Sequence, residues 1–254
     1  MSRLIGFRTL VRREITRFLS VFTQTIVPPV VSNFLYIFIF GFSLGSRIPE
    51  IQGVPYLKFL IPGLVMMTII EGSYANASSS LFISRWANNI EELLVTPLSY
   101  IEMVLAMLIG GLARSCVVAA GVYGVSIIFV QVPIVHPFLM IYFLIFVSLI
   151  FSSLGMIVGL MAEEFEHLTI ATTFVITPLI YFGGVFHSAA MVPKAIQWLT
   201  FFNPMFYMIN GMRYSIIGIS DMAVVHSITV VFFLFLALFS TTVFLFMIGF
   251  KLRK

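Results

Sequence analysis

Long apolar segments alternate with short polar ones along the chain. Six of them run over about 21–45, 56–81, 101–130, 137–161, 168–186 and 224–250. Each is continuous, not alternating, which excludes the two-residue period of membrane β-strands. Each approaches or exceeds the roughly 20 apolar residues an α-helix needs to cross a bilayer. The pattern predicts an all-α membrane protein with six transmembrane helices. No repeat and no low-complexity linker divides it, so residues 1–254 form a single domain.

Three segments break the rule. Residues 1–20 carry five arginines (Arg3, Arg8, Arg12, Arg13, Arg17) with no uncharged core between them, unlike a signal peptide. Helical spacing puts Leu4, Phe7, Val11, Ile15 and Phe18 on one face, with Arg13, Thr16 and Arg17 opposite and Arg8 and Arg12 at the margin. Such a basic amphipathic helix suits the membrane interface; the plainer reading is a charged leader that orients the first span.

Residues 84–96 form the second exception. Ser84 is placed to cap a short helix that Pro97 ends. Trp86, Ile90, Leu93 and Leu94 share one face, and Arg85, Asn88, Glu91 and Glu92 occupy the others. An amphipathic helix of this kind can fill a groove in a partner protein or rest on lipid. Lipid-surface helices carry Lys and Arg on their polar face; Glu91 and Glu92 against Arg85 favour a protein partner.

The third exception covers 183–219, with Tyr181 and Phe182 leading into it. It is too apolar for a solvated loop, yet Gly183-Gly184, Pro193 and Asn203-Pro204 cut it into pieces too short to span. Asn203 before Pro204 is a helix start. Trp198, Phe201, Phe202, Phe206 and Tyr207 are aromatics of the interfacial type. The segment reads as a re-entrant helical hairpin in the outer leaflet. It either forms an outer gate (Tyr181, Phe182, Phe202, Phe206, Tyr207) or anchors the chain as an aromatic belt.

Composition agrees with the pattern. Hydrophobic residues make up 60% and charged ones 9%, against about 25% charged in soluble domains; the mean hydropathy is +1.10. The net charge of +4 gathers mainly at the chain ends, which fits membrane orientation better than nucleic acid. With the N-terminus in the cytoplasm, the inner side holds nine basic residues: Arg3, Arg8, Arg12, Arg13, Arg17, Arg85, Lys251, Arg253 and Lys254. The outer side holds four (Arg47, Lys58, Lys194, Arg213), and Arg114 lies within a span. Both termini are therefore expected in the cytoplasm.

Two ionisable residues lie deep, Glu71 in the second span and Arg114 in the third. Buried membrane charges usually pair, so these two are expected to form an ion pair, either fixing helix register or lining a substrate path. Ala106/Gly110 and Ala120/Gly124 would let the third span pack closely. The lone Cys116 and the scattered His136, His167, His187 and His226 give no metal-ligand spacing. Glu163, Glu164 and Glu166 read as a solvated turn. The chain has no G-x-x-x-x-G-K-[ST] string, hence no phosphate loop of that kind, and no hydrolytic triad.

The strings QTIVPPV, LIPGLVMM, NNIEELLVTPLS, TPLIYFGGVFHS and FFNPMFYMINGMRY, together with this order of elements, resemble the ABC-2 type transporter permeases of bacteria, especially the small YadH-type inner-membrane permeases. The resemblance covers essentially the whole chain. It implies the transport subunit of an exporter in the inner membrane, not an enzyme, without a cofactor of its own. Two such chains would form a dimer among membrane lipids and bind two cytoplasmic ATPase subunits, which hold the ATP. Residues 86–94 would carry the ATPase contact. Cargo in the family ranges over glycans, lipid-linked molecules and other amphiphiles. The rivals are an ion-coupled secondary transporter titrating Glu71, against which six spans without a repeat is thin, and a membrane enzyme, which lacks a catalytic constellation.

The basic-residue distribution predicts the topology. Reporter fusions at residue 90 and after Lys254 should read cytoplasmic, and one near Lys194 external. A cytoplasmic signal at Lys194 overturns the six-span arrangement.

Overall fold

The computed structural model describes residues 2–43 and 50–252. Among them, six helical stretches are long and apolar enough to cross a membrane. Helix α1 (Ser2–Ser20) precedes the first stretch, which is made of α2 (Phe22–Thr25) and α3 (Val27–Ser43). A hairpin of β1 (Glu50–Ile51) and β2 (Val54–Pro55) follows. Its turn residues Gln52 and Gly53 have φ of 51° and 76°, the left-handed pair that a two-residue hairpin requires.

Helix α4 (Tyr56–Trp86) is the second span, and α5 (Ile90–Leu94) is a single short turn after it. Helix α6 (Tyr100–Phe129) starts with a capping box in which Ser99 and Glu102 satisfy each other's backbone N–H groups. Helix α7 (Pro137–Met161) starts on a proline. The fifth span is α8 (Phe165–Ala171), one π-helical stretch at Thr172–Ile176, and α9 (Thr177–Phe182). Then come α10 (Gln197–Phe202), α11 (Pro204–Ile217) and the last span α12 (Val224–Met247). Asn203 accepts from the Met205 N–H at 3.0 Å with Pro204 at the first helical position, as its sequence predicts.

Helix α4 is the hub. It packs on α6, α7, α11 and α3. Of its apolar window 83% is buried, against 17% for the first, fifth and last spans; those three present their apolar surface outward, to lipid or to another chain. Residues 75–80 (Ala-Asn-Ala-Ser-Ser-Ser) keep α4 thin where α7 crosses it. A Cβ added to Gly155 of α7 would stand 2.6 Å from the Tyr74 carbonyl, and one on Gly159 2.9 Å from that of Ser78. The backbones themselves are in contact, a close approach that small residues allow. Gly110 of α6 likewise faces Glu14 of α1, but Gly124 faces nothing within 4 Å and Ala120 is exposed, so the second small-residue pair expected in this span packs no helix.

Length also places the ends. Thirty-one residues of α4 at about 1.5 Å each span about 46 Å, well beyond a hydrocarbon core of roughly 30 Å. The first half of α1, the segment after α12 as far as Leu252, the tail of α4, α5 and the start of α6 meet at one end of the bundle, called here the terminal end.

The α4–α7 contact yields a prediction. Gly155→Val should force the two backbones apart and cost on the order of 1–3 kcal/mol. Gly124→Ala, with open space at its Cβ, should melt like wild type. Thermal unfolding in detergent, followed by fluorescence or light scattering, compares the two; equal melting of both variants refutes the close contact.

Candidate functional site at the terminal end of the bundle

Helix α4 does not stop at Leu81 but runs to Trp86, so Ser84 is not a cap. It lies inside the helix, donating to the Ser80 carbonyl at 2.8 Å and accepting from Arg13 at 3.0 Å. Asn88, at φ 57°, breaks the helix, a conformation that asparagine tolerates. The expected three-turn amphipathic helix is therefore the end of α4, a turn, and the five residues of α5.

The apolar face expected there is divided. Ile90 (3% exposed) packs against Leu252 and the α4–α6–α7 core, and Leu93 (8%) against Leu10, Leu98 and Met103. Leu94 is half-buried against the same residues. These three are covered by their own chain and cannot fill a partner's groove. Trp86 stands alone, 73% exposed, beside exposed Glu91 and Glu92. The spacing that puts these residues on one face assumes a continuous helix; the break at Asn88 parts Trp86 from Ile90 and Leu93, which α1 and the segment after α12 cover.

Arg85 ties the platform together. Its guanidinium donates to the carbonyls of Lys251 (2.8 Å), Gly159 (2.9 Å) and Ala162 (3.1 Å). Lys251 pairs with Glu163 at 3.1 Å, so Glu163, read as part of a solvated turn, is also a tether. The tail of α4, the end of α7 and the stretch after α12 are thereby joined at one side chain. Beside it lies a cleft of about 220 Å³ lined by Phe82, Arg85, Trp86, Glu91, Glu163 and Leu252.

A second polar cluster sits under α1, around Glu14, which the sequence pattern does not single out. Glu14 is fully buried. It accepts from Ser80 at 2.7 Å and pairs with Arg17 at 3.4 Å; Arg17 also donates to the Asn76 carbonyl and side chain at 2.9 and 3.0 Å. Leu10 and Phe18 are buried on the same side, so α1 presents Leu10, Glu14 and Phe18 inward, not the full stripe from Leu4 to Phe18. Leu4 is exposed.

The deep charges do not pair. Arg114 donates to the Thr25 carbonyl at 3.3 Å, and Glu71 enters no ion pair among the described residues. The two stand on adjacent helices, but Arg114 turns toward the end of α2, where it meets the Thr25 carbonyl. Depth follows from position along a span; azimuth does not.

At the opposite end, Arg213 is not a loop cation. It is buried in α11, 3.8 Å over the Phe59 ring, donating to the Gly184 carbonyl at 2.6 Å and pairing with Asp221 at 3.4 Å. Asp221 also accepts from Gln52 at 2.6 Å and from Ser188. This latch gathers the β-hairpin, the 183–188 turn, α11 and the loop before α12. Burial, then neighbouring Arg213, holds His187 below the usual histidine range, so it is neutral at pH 7. Arg47, Arg253 and Lys254, used for the orientation argument, lie outside the described residues.

The five aromatics expected to gate this end do not form one ring. Tyr181 shares a 3.3 Å hydrogen bond with Tyr36, and Phe182 and Phe202 (84%) are exposed. Phe206 is buried edge-on between Phe201 and Tyr207, whose hydroxyl donates to the Phe201 carbonyl at 2.9 Å. It is a packing anchor of α11, not a gate.

These features define a helical membrane protein of six spans whose longest helix emerges as a platform tied to two other spans. The model of the ABC-2 type transporter family matches residues 5–217, and the chain belongs to that family. It is 39% identical over 222 residues to the inner membrane transport permease YadH of Escherichia coli (strain K12), covering 87% of this chain and 86% of that protein. Nodulation protein J of Rhizobium meliloti (strain 1021) is 24% identical over 208 residues, 82% of this chain and 79% of that one. Nodulation protein J of Rhizobium leguminosarum bv. viciae is 23% identical over 188 residues, with 72% and 71% coverage.

The Arg213–Asp221 pair makes a prediction. Asp221→Leu should leave a buried guanidinium unmatched and cost on the order of 3–5 kcal/mol. Replacing both residues with leucine should cost less than the worse single change. A double-mutant cycle of melting temperatures reads this, and additive costs would remove the latch.

Proposed function

We propose that the chain is the permease subunit of an ATP-driven exporter in a bacterial inner membrane, both termini in the cytoplasm. A homodimer of the chain binds two separate ABC ATPase subunits, which hold the ATP; this chain carries out no bond chemistry. The cargo is an amphiphilic, glycan or lipid-like molecule. In this reading α1 lies in the membrane interface, 183–219 re-enters the outer leaflet, Tyr181, Phe182 and Phe202 face the exit, and Glu71 and Arg114 border the path.

One observation carries the reading. The tail of α4 leaves Trp86 exposed, with exposed Glu91 just beyond it in α5, while Arg85 fastens that tail to the end of α7 and to the segment after α12. A force on that surface reaches three spans through one side chain. The coupling residues take two roles. Trp86, Glu91 and Glu92 touch the ATPase. Arg85, Ile90, Leu93 and Leu94 hold the platform that presents them.

The two roles separate experimentally. Trp86→Ala should weaken co-purification of the ATPase in detergent by roughly 1–3 kcal/mol, as an exposed aromatic anchor would, without changing permease melting. Ile90→Ala should lower the melting temperature, costing about 2–5 kcal/mol as a buried truncation. If Trp86→Ala holds its ATPase as wild type does and transports normally, this docking surface is wrong. Glu71, without an ion pair among the described residues, supports a second, ion-coupled reading. Transport by proteoliposomes with ATP and no ion gradient would exclude it.

A further inference from the structure

Two observations on α1 are independent of the platform. First, the exposed charges of the helix are all basic. Arg3, Arg8, Arg12 and Arg13 are exposed, while Glu14, the only acid between residues 2 and 20, is turned inside and paired with Arg17. Glu102, at the start of α6, lies within electrostatic reach of Arg3. Second, a groove of about 290 Å³ runs between α1 and α6. Its walls are Phe7, Val11, Ile15 and Ile109, with Arg8 and Arg12 among the lining residues.

A groove at the small end of ligand clefts (about 300–1,000 Å³) has room for a stretch of acyl chain, not for a whole glycan. Arginine places its aliphatic stem along apolar surface and carries its charge to the polar layer, and its planar fork matches phosphate oxygens. An apolar slot bordered by two guanidinium groups that have no ion-pair partner among the described residues is complementary to a molecule with one fatty chain beside one phosphate. A zwitterionic phospholipid offers a phosphate but brings its own cation beside it, so two arginine charges are only partly offset, and a soluble anion would leave the slot unfilled.

We propose that this groove binds an acidic phospholipid of the cytoplasmic leaflet, its acyl chain against Phe7, Val11, Ile15 and Ile109 and its phosphate on Arg8 and Arg12. The assignment rests on the reading of α1 as an interfacial helix. The lipid would also brace the hub, since the opposite side of α1 is fastened to α4 through Glu14–Ser80 and Arg17–Asn76. A permease so built is stabilised by acidic lipid specifically, not by anionic charge in general.

The test compares thermal unfolding of the purified chain in phosphatidylcholine nanodiscs with and without phosphatidylglycerol, and with glycerol 3-phosphate added instead. Wild type should melt several degrees higher with phosphatidylglycerol and be unmoved by glycerol 3-phosphate. R8Q/R12Q should lose most of that rise while melting like wild type in phosphatidylcholine alone, and Lys58→Gln should keep it. Ile109→Trp, which fills the slot without changing charge, should retain less phosphatidylglycerol per chain when lipid carried through purification is measured by mass spectrometry. The proposal is overturned by an undiminished rise in R8Q/R12Q, by full lipid retention in Ile109→Trp, or by a rise with glycerol 3-phosphate alone. Both variants should still bind the ATPase, so loss of the lipid site and failure of the permease reading give different results.

Discussion

In hydrocarbon two helices gain no hydrophobic energy by touching, because the lipid they displace is as apolar as they are; association rests on close packing and on polar contacts. The crossing of α4 and α7 meets that constraint. Gly155 and Gly159 bring α7 against the carbonyls of Tyr74 and Ser78, and serines and alanines keep α4 narrow over the same stretch. With α7 on one side and α3, α6 and α11 on others, α4 is enclosed for most of its length. Its deep polar groups then have to be satisfied internally. Ser73 bonds the Ile69 carbonyl, Ser80 bonds Glu14, and Tyr74 bonds the Leu168 carbonyl. The rest of the bundle is arranged around a helix that cannot be exposed.

Arginines fasten this hub to its surroundings, and each works largely through backbone carbonyls. Arg17 reaches the Asn76 carbonyl, Arg85 reaches three carbonyls beyond the helix ends, and Arg213 covers Phe59 near the start of α4 while bonding Gly184. A planar guanidinium with five donors can serve several acceptors at once, which a lysine cannot do in the same geometry. Apart from that of Asn76, which lies inside α4, the carbonyls involved lie at helix ends, where backbone acceptors lack intrahelical partners, or in turns. Basic residues that the positive-inside rule counts merely as topology signals thus also act as the staples of the bundle.

What was legible in the sequence was whatever depends on one dimension. The spans, the Asn203-Pro204 helix start and the start of α7 follow from run length and local spacing, and they appear where the pattern places them. What was not legible depends on which neighbour a face meets. Ile90 and Leu93 form an apolar face on paper, but α1 and Leu252 cover it. Glu71 and Arg114 share a depth but not an azimuth. Arg213 looked like a loop cation because its partner Asp221 lies eight residues on, across the turn at Gly218, whose φ of 75° only a flexible backbone takes easily. Long side chains magnify this uncertainty, since an arginine can reach a carbonyl far from its own Cα.

The strengths of these fastenings are unequal, and the inequality bears on how the platform can act. Glu14 is fully buried, and separating α1 from α4 would break the Ser80 bond to it and both Arg17 bonds to Asn76 together, charge-assisted contacts of about 1.5–3 kcal/mol each. The contacts of Arg85 lie near exposed residues at the bundle end, where water replaces a lost partner; each charge-assisted bond there contributes at most about 1.5–3 kcal/mol. Asn88 adds a left-handed residue just beyond, and α5 is held by Ile90 and Leu93 to α1, α6 and Leu252 instead of to α4 alone. By this ordering α1 and α4 count as one body, and the turn at residues 87–89 is the softest joint on the platform. The exposed surface at Trp86 belongs to the stiff side of that joint, and Glu91 and Glu92 belong to the other. A partner gripping both sides would close the joint, and the grip would then be felt along the whole of α4.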